Sequence, residues 1–99
     1  MLNITKSVNG TEMVIGLEGK LDTTTAPGFE SDLESSLGGI TKLILDLAQL
    51  QYCSSAGLRV LLTAQKIMNA QGSMVLHNTS DDIKEIFDVT GFSDILTLE

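Results

Sequence analysis

Two adjacent hydroxyls, Ser54 and Ser55, stand between an apolar run ending in Tyr52-Cys53 and an amphipathic stretch opening Ala56-Gly57-Leu58-Arg59. A serine at a helix start lies beside four backbone N–H groups that lack helical partners, and beside the positive end of the helix dipole. A phosphate placed there is electrostatically tolerated and changes the surface charge sharply. These residue types suit a phosphorylatable recognition site better than a catalytic pocket. The small-residue run from Ser54 to Gly57 also lets another backbone approach closely. On the residues alone, the competing reading of Ser55 is a plain N-cap, worth about 1 kcal/mol.

Cys53 and His77 are the other side chains that invite chemistry, as nucleophile and base. Each follows an apolar run and so could lie at a strand end, but no orienting acid or oxyanion-stabilising pattern accompanies them. Cys53 reads as a small buried residue before the serine loop, and His77 as a strand-end side chain. One cysteine and one histidine give neither an intramolecular disulfide nor a zinc ligand set. Gly38-Gly39 lacks the Lys-Ser/Thr that would make it a phosphate-binding loop, and no cofactor is implied.

The composition narrows the partners. Thirteen acidic residues against six basic ones give a formal charge of −7. That balance argues against nucleic acid, which needs a basic face, and against anionic lipid. Acidity gathers late, where Asp81, Asp82, Glu85, Asp88, Asp94 and Glu99 face only Lys84; solubility is its simplest explanation. The N-terminus alternates polar and apolar residues rather than forming a secretory signal, and no apolar run is long enough for a membrane span. A reducing, cytoplasmic setting and a monomer are the resulting expectations.

The elements that must position the serines follow from patterning. Asn9-Gly10 predicts a type I′ hairpin between a strand beginning at Leu2 and a more buried one over Glu12–Glu18. One of Thr23, Thr24 and Thr25 is expected to cap a helix carrying Ala26, Phe29, Leu33 and Leu37, with Pro27 in its first turn. Lys42–Leu47 reads as a central strand covered on both faces. A helix over about Ala56–Gln71 presents Val60, Leu61, Ala64, Ile67 and Met68, with Gly72 at a left-handed terminus. A strand at Ser73–Leu76 follows. A helix capped by Ser80 or Asp81 then carries Ile83, Ile86, Phe87 and Val89, and a last strand or tail spans Ile95–Leu98. Its 99 residues are thus read as a single α/β domain of plan ββαβαβα(β), a mixed sheet with an N-terminal hairpin and helices mainly on one face. Three loops, Gly19–Thr25, Ala48–Ala56 and His77–Ser80, are expected to share the functional end of that sheet.

In this order and spacing the chain resembles STAS-domain proteins of the anti-sigma-factor-antagonist type over essentially its whole length. The strongest segment is Asp46-Leu47…Leu50…Tyr52-Cys53-Ser54-Ser55-Ala56-Gly57-Leu58. Gly19-Lys20-Leu21-Asp22, Gln71-Gly72 and Phe87…Thr90-Gly91-Phe92 support it. The resemblance implies a non-enzymatic partner switch. A kinase-fold anti-sigma factor phosphorylates a loop serine, the phosphorylated antagonist releases it, and a serine phosphatase restores binding. Anchored on Gly57-Leu58, that serine is Ser55, with Ser54 as the nearby alternative. The chain departs from the family pattern in having Ser54 where Asp is common, Ala56 where Ser or Thr is common, and Arg59 where Gly is frequent.

The expected partner surface comprises Asp22, Ser54, Ser55, Ala56, Gly57, Leu58 and Arg59, with Leu58 at the exposed end of its helix. Arg59 could pair with a phosphate or with an acidic partner. Asp22 would repel a phosphate if its loop lies alongside, with Lys20 and Arg59 offsetting part of that repulsion. Two other classes compete with this reading: a constitutive STAS subunit of a transport or other assembly, and a small enzyme using Cys53 or His77.

Overall fold

The computed structural model describes residues 2–99. Strand β1 (Leu2–Asn9) turns back into β2 (Glu12–Leu21), helix α1 (Ala26–Ser36) leads to β3 (Lys42–Cys53), and helix α2 (Ser55–Gln71) leads to β4 (Ser73–His77). Helix α3 (Asp81–Thr90) and a short 3₁₀ turn (Phe92–Asp94) complete the order. The sheet runs β1-β2-β3-β4, with β1 antiparallel to β2 and the remaining neighbours parallel. It is the mixed sheet anticipated from the strand–helix–strand units.

One face of this sheet carries the core. Met13, Ile15, Leu17 and Leu21 of β2 alternate inward, as do Leu43, Leu45 and Leu47 of β3 and Met74 and Leu76 of β4. They meet Phe29 and Leu33 of α1, Leu61, Ala64 and Met68 of α2, and Ile83 and Phe87 of α3 in one cluster. Full burial of each large side chain among these contributes about 1.5–3 kcal/mol. The opposite face is open. Val14, Ile44 and Val75 lie in one cross-strand row there and are only half-buried. β3 is therefore covered on one face rather than on both, because all three helices return to the same side.

Several local expectations change with the register. Asn9 pairs with Glu12, so the hairpin loop is Gly10-Thr11. Gly10 has φ +65° while Thr11, the second loop residue, stays out of the positive-φ region, which is the type II′ pattern rather than type I′. Gly72 ends α2 in extended backbone, at φ 175°, and not in a left-handed cap. A Cβ there would lie 1.8 Å from the Thr41 carbonyl oxygen, so close chain approach explains the glycine. Val89 faces solvent at 78% exposure, one position off the Ile83–Phe87 stripe. The C-terminal segment forms only a single parallel bridge, Leu76 to Leu98, with Leu96 tucked into the core.

The largest difference concerns β3. It continues to Cys53 and pairs with β2 as far as Leu21↔Cys53, through two register shifts at Gly16/Glu18 and Gly19/Lys20. Leu50 and Cys53 stay buried along this extension, so the expected loop at residues 48–53 is strand. β4 stops opposite Asp46. The β4–α3 loop therefore lies roughly 20 Å down the strand direction from the serines. Only the loops after β2 and β3 share the serine end.

Candidate functional site

Helix α2 begins where β3 ends, and its start is fixed from beneath. The Ser54 N–H donates to the Leu21 carbonyl oxygen at 2.9 Å, tying the serine loop to the end of β2. Gly57 then packs onto the same strand end. A Cβ on it would meet Leu21 Cγ at 2.7 Å, Leu21 O at 2.8 Å and Cys53 Sγ at 3.0 Å. The glycine that suggested room for a partner's backbone is buried and serves the contact between helix and sheet.

Ser54, not Ser55, is the N-cap. Its backbone is extended, and its Oγ accepts the Gly57 N–H at 3.2 Å. Ser55 is the first helical residue and is exposed; its hydroxyl makes no hydrogen bond among the described residues. The plain-cap reading of Ser55 is thereby overturned, because Ser54 already occupies the capping geometry. No acidic residue sits in the first turn of α2. Ala56 is half-buried beside Ser55, and Arg59 is exposed one turn further on.

Leu58 is only 4% exposed. Its expected place on the partner surface is corrected: the first turn of α2 lies over the extended part of β3, which draws Leu58 into the core. It supports the site from below.

Asp22 lies in the adjoining loop. Its carboxylate accepts from the Thr24 hydroxyl at 2.7 Å, the Thr24 N–H at 3.0 Å and the Thr25 N–H at 3.1 Å. These bonds, the Thr24 hydroxyl foremost, hold the carboxyl below its usual pKa range. Thr25 occupies the N-cap position of α1 without a side-chain cap bond. Its hydroxyl instead donates to the Lys20 carbonyl oxygen at 2.9 Å. The three threonines and Asp22 thus form a tight turn that brings the start of α1 beside the start of α2.

Between the two helix starts runs a groove of about 260 Å³, with Ala26, Pro27, Ala56 and Val60 along it and Glu30 and Arg59 as its charged groups. Glu30 was not anticipated from the sequence. Its Oε2 accepts the Thr63 hydroxyl at 3.5 Å across 33 residues of chain. Only packing of α1 on α2 creates that neighbourhood, so no local spacing could have revealed it. A second depression, of about 230 Å³, lies on the open sheet face around Gly16, between Asn3, Thr5, Glu18, Asp46 and Gln49. Its carboxylates are already used: Glu18 accepts from Asn3 Nδ2, and Asp46 from the Ala48 N–H and Asn78 Nδ2.

Cys53 and His77 do not meet. His77 is opposite Asp46 in the sheet, seven residues of β3 before Cys53, and its Nε2 lies 3.0 Å from Glu99 Oε1. Burial pushes the Cys53 thiol up to about 12, leaving a protonated, poorly nucleophilic sulfur. The geometry removes the nucleophile–base pair.

The STAS domain family model matches residues 3–99, nearly the whole chain. The chain belongs to the STAS-domain family. Within it, this STAS domain is 35% identical over 85 residues to a Bordetella bronchiseptica protein described as an anti-sigma factor antagonist, BtrV; the match covers 84% of this chain and 73% of that protein. It is 28% identical over 98 residues to the anti-sigma-B factor antagonist of Bacillus subtilis, covering 98% and 90%. Among solved structures, an anti-sigma factor antagonist from Mycobacterium paratuberculosis superposes with a TM-score of 0.88 at 17% identity, covering 99% and 85% of the two chains. That last likeness speaks to the fold. The STAS domain here is of the anti-sigma-factor-antagonist kind in sequence and architecture, and among the described residues no helix is long and apolar enough to cross a membrane.

Proposed function

We propose that this STAS domain is a phosphorylation-gated partner-switching protein of the cytoplasm. Unphosphorylated, it binds a kinase-fold anti-sigma factor or related serine kinase; phosphorylated on Ser55, it releases that partner, and a serine phosphatase resets it. It acts as binding partner and phosphoryl acceptor, not as an enzyme. The observation that carries the reading is the division of labour between the two serines: Ser54 is committed to capping α2, which leaves Ser55 exposed with its hydroxyl free.

In the transfer, a bond forms between Ser55 Oγ and the terminal phosphorus of the kinase's ATP. The bond from that phosphorus to ADP breaks, and the hydroxyl proton passes to a base on the kinase. The partner-facing edge comprises Asp22, Ser54, Ser55, Ala56 and Arg59, with Gly57 and Leu58 beneath. A phosphate of about −1.5 to −2 charges adds bulk and an ion that is costly to desolvate in a tight contact. Its charge also has the same sign as the Asp22 carboxylate of the adjoining loop. A loss of about 3–4 kcal/mol corresponds to a two- to three-order fall in affinity.

The test is titration calorimetry of the unmodified and Ser55-phosphorylated protein against the kinase-fold anti-sigma factor of its own cells. The reading predicts tight binding only without phosphate. Equal affinities would overturn it and favour a constitutive STAS subunit, a role for which Ser54 in place of the family's common Asp is the supporting observation.

A further inference from the structure

The cation nearest Ser55 along α2 is Arg59, and the two residues are four apart on one helix. Side chains at that spacing are surface neighbours, with Cβ atoms about 5–6 Å apart, and an anion placed N-terminal to a cation is the favourable order. Both residues are exposed. Among the described residues the ion pairs are Lys6–Asp32, Lys42–Glu12 and His77–Glu99, so the Arg59 guanidinium is in none of them. The Thr63 hydroxyl bonds to Arg59 through its backbone carbonyl oxygen, at 3.0 Å, and not through its guanidinium.

We infer that Arg59 is the receiving group for a phosphate on Ser55, closing an intramolecular latch along the first turn of α2. This rests on the phosphorylation reading above. The planar guanidinium can hold two phosphate oxygens at once, which a lysine cannot match in geometry. The charged groups around the latch are few. Glu30 on α1 lines the groove with Arg59 and accepts from Thr63, Asp22 follows β2 with its carboxylate engaged, and Lys20 projects from β2. With the latch closed, the partner faces a dianion and loses the cation that would receive its own acidic group. One modification thus acts twice on the same edge.

The experiment places phosphoserine at position 55 during translation, so that no kinase is needed. The ³¹P signal of the full chain is then titrated with pH in the parent, in Arg59→Gln and in Lys20→Gln. The second ionisation of the phosphate is expected about half a pH unit lower in the parent than in Arg59→Gln, with Lys20→Gln titrating like the parent. The Arg59 side-chain N–H signal should shift with the same midpoint. Coincident titrations of the parent and Arg59→Gln would overturn the latch. So would a Lys20→Gln effect as large as that of Arg59→Gln, which would mean diffuse electrostatics. Because the phosphate is installed directly, absence of Ser55 phosphorylation in cells contradicts the switch reading without altering this result.

Discussion

Ser54 Oγ accepts the backbone N–H of Gly57 at 3.2 Å, and this bond separates the two serines into a structural and a free hydroxyl. Ser54→Ala should therefore destabilise the fold by about 1 kcal/mol, the ordinary value of an N-cap. Ser55→Ala should change stability by less than about 0.5 kcal/mol, as exposed substitutions usually do. Urea unfolding of both variants checks the assignment; a reversed order would make Ser55 the cap.

Gly57 presents a second test of how the serine end is held. A Cβ at this position would meet the Leu21 carbonyl oxygen and the Leu21 and Cys53 side chains within 3.0 Å. Gly57→Ala should cost about 1–3 kcal/mol by overpacking, despite the better helix propensity of alanine. A neutral or stabilising result would show that α2 does not seat on the end of β2 in this way.

The legibility of the chain divides along physical lines. Periodicity exposed α1, α2 and α3, because Phe29 and Leu33, Leu61 and Met68, and Ile83 and Phe87 each repeat at helical spacing. The sheet was legible in order but not in extent. Gln49, Gln51 and Tyr52 read as loop, yet an extra β3 residue at each register shift lets Leu50 and Cys53 keep pointing inward, and β3 runs on. That extension explains two site errors at once: it buries Leu58, and it carries the serines far from His77. Asp22 can be singled out from sequence because its strand-end position is local. Glu30 cannot be, since its link to Thr63 crosses two helices.

Thr79 carries a cost that can be removed. It is 8% exposed, and its Oγ1 has no hydrogen-bond partner among the described residues. Replacing a buried unsatisfied hydroxyl with a methyl of similar shape relieves its desolvation penalty. Thr79→Val should raise stability by about 1 kcal/mol in thermal or urea unfolding. A loss of stability would mean that the hydroxyl has a partner in solution.

Cys53 gives a pH dependence of known sign. Its thiol is pushed up from 9.0 to about 12 in the folded chain by burial. Between those values the folded state holds a proton that the unfolded state releases, so the stabilising contribution is complete below pH 9 and is lost as pH rises toward 12. Unfolding free energy should fall more steeply over this window in the parent than in Cys53→Ala. A thiol reagent should label the native chain slowly and the unfolded chain fast. Rapid native labelling at neutral pH would contradict the burial.

The proposed switch turns on modification of Ser55. It is tested most directly by intact-mass analysis and peptide mapping of the protein isolated from its own cells, with and without phosphatase treatment. A phosphatase-sensitive phosphate is expected on the peptide that holds Ser54 and Ser55, assigned by fragmentation to Ser55 and changing in occupancy between growth and stress. A peptide that stays unmodified in every condition, or a phosphate assigned to Ser54, would contradict it.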